Sequence, residues 1–111
     1  MIVMSDISQE TENKEMYLKS YQQGAETLIA VCDCDILGKK FSDGRLKIEV
    51  TADFFGGEMV SLSEVAAALE RATMANFVGC KTVEHAISLG YVERDCTLSI
   101  GGVLYAQMVR M

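Results

Sequence analysis

The side chains best able to do chemistry together lie in two segments that are far apart along the chain. One is a glycine-rich segment at residues 54–58, and the other is an apolar pattern near the C-terminus, at residues 97–108. A carboxylate base, a phenol donor and an orienting amide can form a simple acid–base site. One of two alternative interpretations is therefore a small-molecule pocket between these two segments. Its candidate residues are Gly56, Gly57, Glu58, Asn76, Tyr105 and Gln107.

In an enzyme built on this pocket, Glu58 would be the base, Tyr105 the donor and Asn76 or Gln107 the orienting amide. Ordinary packing offers an alternative for each feature. Two phenylalanines around a tight turn explain residues 54–58, because glycine lets two backbones approach closely. A large aromatic residue such as Tyr105 usually packs, provided that its hydroxyl finds a partner. Asn76 falls in an apolar stripe, where an unpaired amide is costly, so we expect it to have a hydrogen-bond partner.

A second candidate site is a basic cluster at residues 39–47. Its four cations surround one aromatic ring and a single acid, Asp43. A basic ribbon with an aromatic ring can follow the backbone of single-stranded RNA. A solvated strand face, or lysines that protect a sheet edge, explains the same pattern without a ligand. The candidate RNA contacts are Lys39, Lys40, Phe41, Arg45 and Lys47.

Other reactive residue types do not form a recognisable site. The four cysteines, Cys32, Cys34, Cys80 and Cys96, lack zinc-knuckle spacing, so we predict no metal and no cofactor. His85 is the single histidine, and no Ser-His-Asp or Cys-His arrangement can be proposed around it. No Gly-Lys-Ser/Thr follows the Gly-Gly pair, which excludes a phosphate loop.

Sequence-specific DNA binding is excluded for a related reason. Two helix-like patterns joined by residues 79–81 have the outline of a helix-turn-helix, but the second carries no arginine or lysine between Val83 and Leu89. A recognition helix needs such donors for base edges and phosphates. The net charge of −6 also disfavours non-specific binding to a phosphate backbone, although a local basic patch can still operate.

Periodicity predicts the elements that position these residues. Two strands around a turn at 22–24 form a first hairpin, and Asp33 is placed to cap a helical turn at 34–37. Two shorter strands flank a turn at 42–44, and the alternation within 46–50 predicts a half-buried strand.

The second half of the chain is predicted to hold two helices and a last hairpin. Ser61 and Glu64 form a capping box that opens a long helix, which runs to about Val78 and ends at Gly79. Thr82 caps a shorter helix over 83–89, and Gly101-Gly102 forms the turn of the final hairpin. The order β-β-β-β-α-α-β-β predicts an α+β fold, in which a mixed, mainly antiparallel sheet has hairpins at both ends and a helix pair on one face.

Length and composition fit one globular domain. The chain has 111 residues, of which 50% are hydrophobic and 23% charged. Residues 1–15 are polar and acidic, so we interpret them as a flexible N-terminal extension and 16–111 as the domain. No apolar run approaches the ~18 residues of a membrane span, and the start lacks a secretory signal, so we expect a cytoplasmic protein without membrane partners.

Several short segments together resemble an archaeal family known as domain of unknown function 424. The resemblance covers about residues 16–111, and it implies an archaeal cytoplasmic protein but no catalytic assignment. The chain has Leu104-Tyr105 before Ala106-Gln107, where the family pattern would have Pro-His. The segments that carry the resemblance are Val31-Cys32-Asp33, Leu37-Gly38-Lys39, Phe55-Gly56-Gly57-Glu58, Ala72-Thr73-Met74-Ala75-Asn76-Phe77-Val78-Gly79, Ile100-Gly101-Gly102-Val103 and Ala106-Gln107.

From the residues we expect a non-enzymatic binding or accessory module, associated with RNA or the translation machinery. The alternative is a small-molecule-binding protein or enzyme that uses the pocket described above. A protein partner and homo-oligomerisation also remain open.

Overall fold

The computed structural model describes residues 13–110. Most of the predicted extension, residues 1–12, therefore lies outside the described residues. The first strand begins at Lys14, inside the range assigned to the extension. The elements are β1 (Lys14–Gln23), β2 (Glu26–Asp33), β3 (Lys40–Asp43), β4 (Leu46–Glu49), α1 (Ala52–Phe55), β5 (Glu58–Ser61), α2 (Leu62–Leu69), β6 (Met74–Val78), α3 (Cys80–Ser88), β7 (Leu98–Ile100) and β8 (Val103–Val109), with 3-10 turns at Cys34–Ile36 and Arg94–Cys96.

Six strands form the central sheet, in the order β5-β1-β2-β6-β8-β7, and β3 pairs with β4 in a separate two-stranded sheet. Neighbouring strands are antiparallel except β2 and β6, which run parallel with Leu28 opposite Met74 and Cys32 opposite Val78. The predicted α+β class, with a mainly antiparallel sheet and hairpins at both ends, is confirmed.

One face of the sheet packs against α2 and α3, which confirms the predicted helix pair on a single face. We call it the helix face. The predicted capping box opens α2: Glu64 N–H donates to the Ser61 hydroxyl over 3.3 Å, and Ser61 N–H donates to Glu64 Oε1 over 2.9 Å. Buried residues of this face include Met16, Ile29, Val31, Phe77 and Ala106 from the sheet and Val65, Leu69, Val83 and Ala86 from the helices.

The opposite face, which we call the far face, is covered only in part. The segment between β2 and β5 folds over it, and a second core forms where Val50 and Phe55 pack with Ala30, Cys32 and Val78 of the sheet. Elsewhere on this face Leu98 and Val109 are exposed.

The predicted long helix over 61–78 is wrong in its second half. The helix ends at Leu69, and residues 74–78 form β6, a strand between β2 and β8. Ala75 and Phe77 are buried on the helix face and Val78 on the far face. The apolar residues of β6 lie on both faces of the strand, so the polar–apolar alternation of a half-exposed strand is missing and these residues can match helical spacing by coincidence.

Two predicted helix caps are also wrong, that of Thr82 and that of Asp33. α3 begins at Cys80 rather than Val83, and Thr82 lies buried within its first turn. Asp33 makes no side-chain cap bond to the 3-10 turn that follows it. Its carboxylate instead accepts hydrogen bonds from the N–H groups of Lys81 and Thr82, in the first turn of α3.

Candidate functional site

The predicted RNA contacts lie on the ribbon formed by β3 and β4, which stands outside the main sheet. Lys40 is opposite Glu49 and Lys47 is opposite Ser42, so these side chains share one face of the ribbon. Within residues 13–110, none of the ribbon's cationic side chains forms an ion pair or a side-chain hydrogen bond. The exposed cations are Lys39, Lys40, Arg45 and Lys47.

The ribbon is fixed against the sheet at its other face. Phe41 and Ile48 are directly opposite each other, half-buried, and packed against the far-face core. At the turn between β7 and β8, Gly101 has φ +58°, and a Cβ at this position would lie 2.7 Å from the carbonyl oxygen of Ser42. Glycine is therefore required where the turn meets the ribbon. Phe41, one of the predicted contacts, is partly used in this packing.

An open cleft of about 510 Å³ lies along the ribbon. Its lining combines two ammonium groups with a hydroxyl, a carboxylate and the edges of two apolar side chains. Such a lining can hold an anionic group beside a flat apolar one. The lining residues are Lys40, Phe41, Ser42, Lys47, Ile48 and Glu49.

Three of the predicted pocket residues meet on the far face of the main sheet. Asn76 on β6 is directly opposite Gln107 on β8. The side-chain oxygen of Asn76 accepts a hydrogen bond from Gln107 Nε2 over 2.9 Å and one from the Tyr105 hydroxyl over 3.3 Å. The expected partner of Asn76 is thereby found. Burial raises the pKa of the Tyr105 phenol above its ordinary value of 10.0, so the hydroxyl remains a donor at neutral pH.

Glu58 is not brought to this group. It lies on the edge strand β5 opposite Leu18, whose side chain packs on the helix face. Asn76 lies on the other face, and β1 and β2 separate their strands. The structure therefore does not form the predicted pocket with Glu58 as the base beside Tyr105 and an amide.

The glycine pair before Glu58 makes close backbone contacts instead. A Cβ at Gly57 would lie 2.1 Å from the carbonyl oxygen of Leu18, and one at Gly56 would lie 2.6 Å from that of Ala52. The ring of Phe54 stacks on Tyr21 at 5.3 Å between centroids and meets Phe55 edge to face at 4.9 Å. The geometry is that of the tight turn packed by two phenylalanines.

A buried carboxylate at the end of β2 was missed by the sequence analysis. Asp33 is 7% exposed and accepts three hydrogen bonds: from Lys81 N–H over 3.1 Å, from Thr82 N–H over 2.8 Å and from the Thr82 hydroxyl over 2.7 Å. Gly79 leaves room for it, since a Cβ there would lie 2.4 Å from the carboxyl carbon. The signal in the sequence was an acid, Asp33, at the end of one strand and a glycine, Gly79, after another. Only the parallel pairing of β2 and β6 brings these two residues together.

This carboxylate occupies the position where an anion would bind. The carboxyl ends of parallel strands and the start of the following helix commonly bind phosphate groups, because free N–H groups point outward there. Asp33 accepts two of these N–H groups at α3. The helix terminus is thus neutralised from within the chain.

The cysteines are free thiols in different environments. Cys34, Cys80 and Cys96 are exposed, whereas Cys32 is buried. Burial, with a smaller contribution from the charge of Asp33, raises the pKa of the Cys32 thiol to about 12. Among residues 13–110, no group of three or more His, Cys, Asp and Glu side chains is placed to hold a metal ion. His85 Nε2 lies 2.9 Å from the carbonyl oxygen of Leu62, a contact between α3 and α2.

Comparison with known proteins identifies the family. The model of the family described as "Protein of unknown function (DUF424)" matches residues 21–111. The chain belongs to this family. A crystal structure of an uncharacterised conserved protein from Methanopyrus kandleri matches with a TM-score of 0.71 and 18% identity, covering 87% of this chain and 95% of that one. At this identity the similarity between the two proteins shows a shared fold alone. No curated protein matches this chain.

The family match begins five residues after the start expected from the resemblance, at Tyr21 instead of Met16. Two of the segments that suggested DUF424, residues 31–33 and 72–79, contain the end of β2 with Asp33 and the whole of β6 with Gly79, which packs against the Asp33 carboxyl group. In the part of the DUF424 chain that the structure describes, no helix has the length and apolar character needed to cross a membrane.

Proposed function

We propose that this chain is a non-enzymatic binding module that holds single-stranded RNA along the β3–β4 ribbon. The observation that carries the proposal is the set of four exposed cations without ion-pair partners among the described residues, all on one projecting ribbon. Segment 39–49 has a net charge of +2 in a chain whose net charge is −6. Such a local reversal of sign attracts a polyanion to one place and repels it elsewhere.

The lining of the ribbon's cleft supports a nucleic acid over a simple anion. Lys40 and Lys47 supply charge for phosphates on one face of the ribbon, and Phe41, whose half-buried ring packs on the other face, also lines the cleft. Single-strand binding proteins combine these two elements, a basic groove and an aromatic ring. Edge protection by lysines accounts for the charge, but not for a cleft of about 510 Å³.

The enzyme alternative receives less support from the geometry. Its proposed base, Glu58, is on the opposite face of the sheet from Asn76, Tyr105 and Gln107. The remaining phenol and amides can donate and accept hydrogen bonds, but they supply no general base.

Salt dependence of RNA binding tests the proposal. For single strands, log K falls with log salt by about 0.7 per neutralised phosphate, so four cations give a slope of about −3. We expect a fluorescently labelled ten-nucleotide RNA to bind the full chain at low salt with this slope, measured by fluorescence anisotropy. The double variant Lys40→Glu/Lys47→Glu should bind at least tenfold more weakly and show a slope of about −1.

A matched control changes the same total charge elsewhere. Lys14→Glu/Arg71→Glu reverses two exposed cations outside the ribbon. This variant should retain most of the affinity. The proposal is wrong if the unmodified chain shows no binding at low salt, or if the control loses as much affinity as the ribbon variant.

A further inference from the structure

We propose that Asn76, Tyr105 and Gln107 form a contact site for the edge of an unpaired nucleobase in the RNA held by the ribbon. We call these residues the amide cluster. The inference rests on the proposed function, because the ribbon cations supply the phosphate contacts that bring the base to the sheet. It adds a site for bases to a site for phosphates.

The hydrogen bonds within the amide cluster leave a donor and an acceptor side by side. The oxygen of Asn76 is used twice, by Gln107 and by Tyr105. Asn76 Nδ2 and Gln107 Oε1 have no hydrogen-bond partner among residues 13–110, and no buried side-chain polar atom there is unsatisfied. Gln107 is exposed and Asn76 is half-buried. A neighbouring donor and acceptor are what a base edge, with its own donor and acceptor, pairs with in single-stranded RNA.

Tyr105 acts as a positioning residue. Its hydroxyl donates to Asn76 over 3.3 Å. The two bonds to one oxygen hold the Asn76 amide with its NH₂ group outward. An amide held in advance loses less freedom when a ligand binds.

The surroundings of the amide cluster suit the ring of a base. Leu98, 48% exposed, is opposite Tyr105, and Val109, 63% exposed, is opposite Met74 at the end of β6. These apolar side chains share the far face with the cluster because paired residues point the same way. They can cover the faces of a base whose edge meets the amides.

The amide cluster and the ribbon lie on the same side of the sheet. Tyr105 packs against the far-face core, and so do Phe41 and Ile48 from the ribbon. The turn at Gly101, which contacts Ser42, leads directly into β8, the strand that carries Tyr105 and Gln107. Lys40 and Lys47 point away from the sheet, so an RNA strand bound to them reaches the amide cluster by passing over the edge of the ribbon near this turn.

An abasic oligonucleotide separates base contacts from phosphate contacts. The probes are a mixed-sequence RNA decamer and a decamer of equal length and charge in which every base is absent. We expect the full chain to bind the first about tenfold more tightly, by anisotropy at low salt. Gln107→Leu should remove most of this preference and leave the affinity for the abasic decamer unchanged. Tyr105→Phe should reduce the preference in part, because Asn76 keeps its bond from Gln107.

The control is Gln23→Leu, which replaces another exposed glutamine of the same sheet, without a side-chain hydrogen bond to any residue of the described part. It should behave as the unmodified chain. Equal affinity of the unmodified chain for both decamers would overturn the base site and leave the ribbon proposal standing. A preference for the base-containing decamer that survives Gln107→Leu would also overturn it. No binding of either decamer would refute the proposed function itself.

Discussion

Replacing Asp33 should destabilise the fold more than any surface charge, because three donors depend on its carboxylate. Asp33→Ala leaves the N–H groups of Lys81 and Thr82 without their acceptor and the Thr82 hydroxyl, in a residue 1% exposed, without its partner. Hydrogen bonds to a charged group contribute about 1.5–3 kcal/mol each and are not additive. We therefore expect the free energy of unfolding to fall by about 3–5 kcal/mol, a large part of the stability of a domain.

The dependence on Thr82 gives the sharper test. Thr82→Val alone removes one donor and should cost about 1–2 kcal/mol. In the Asp33→Ala background the hydroxyl is buried without a partner, so the same change should cost nothing or stabilise the protein. The two residues are thus expected to show a strong coupling energy in a double-mutant cycle.

Urea unfolding followed by far-ultraviolet circular dichroism measures all four variants, and the chain has no tryptophan to serve as a probe. Asp35→Ala, which removes an exposed acid two residues away, is the control and should stay within about 0.5 kcal/mol of the unmodified chain. A loss below about 1 kcal/mol for Asp33→Ala, or an equal cost of Thr82→Val in both backgrounds, would refute this account of the α3 cap.

Three further predictions concern other contacts. Gly101→Ala should destabilise the fold by about 1–3 kcal/mol more than Gly102→Ala in urea unfolding, because both glycines have positive φ but only Gly101 meets the ribbon backbone; equal costs would contradict the contact. A thiol reagent should modify the three exposed cysteines of the native protein rapidly and Cys32 only on unfolding; rapid modification of all four would contradict the burial of Cys32. Since the folded pKa of Cys32 is raised, stability should fall as the pH rises from 9.0 towards about 12, and Cys32→Ala should reduce this fall. A chain that begins at Asn13 should be more stable than one that begins at Met16, because Lys14 and Glu15 belong to β1 and form ion pairs; equal midpoints would show that this strand end contributes nothing.

Features set by neighbours in the sequence could be predicted. The capping box at Ser61 depends on residues three apart, and the last hairpin on a glycine pair that fits a tight turn. The facing pairs Leu98–Tyr105 and Ile100–Val103 follow from that turn alone. Each of these is a local rule, and each is confirmed.

Features set by the order of the strands in the sheet could not be predicted from the sequence. β6 lies between two strands and carries apolar residues on both of its faces, so the sequence lacks polar–apolar alternation and predicts a helix there. Tyr105 and Gln107 could be placed on one face from the hairpin register, but Asn76 joins them only because residues 74–78 form a strand. Glu58 was grouped with these residues because a carboxylate can act as a base. Its position on the edge strand β5, opposite Leu18, follows from the strand order and register of the sheet.

The central position of β6 also constrains how the chain reaches its native state. The hairpins β1–β2 and β7–β8 join neighbouring segments and close short loops, whereas Thr27 and Thr73, which bond to each other at the entrance to the parallel pair, are 46 residues apart. Closing a long loop costs entropy before its contacts form, so contacts of this separation slow folding. β6 joins the two hairpins into one sheet. It can pair with β2 only when the ribbon and the helices that lie between them in the sequence do not occupy its place. With no proline in the chain, X-Pro isomerisation cannot slow folding, and we expect the pairing of β6 with β2 to be the slow step.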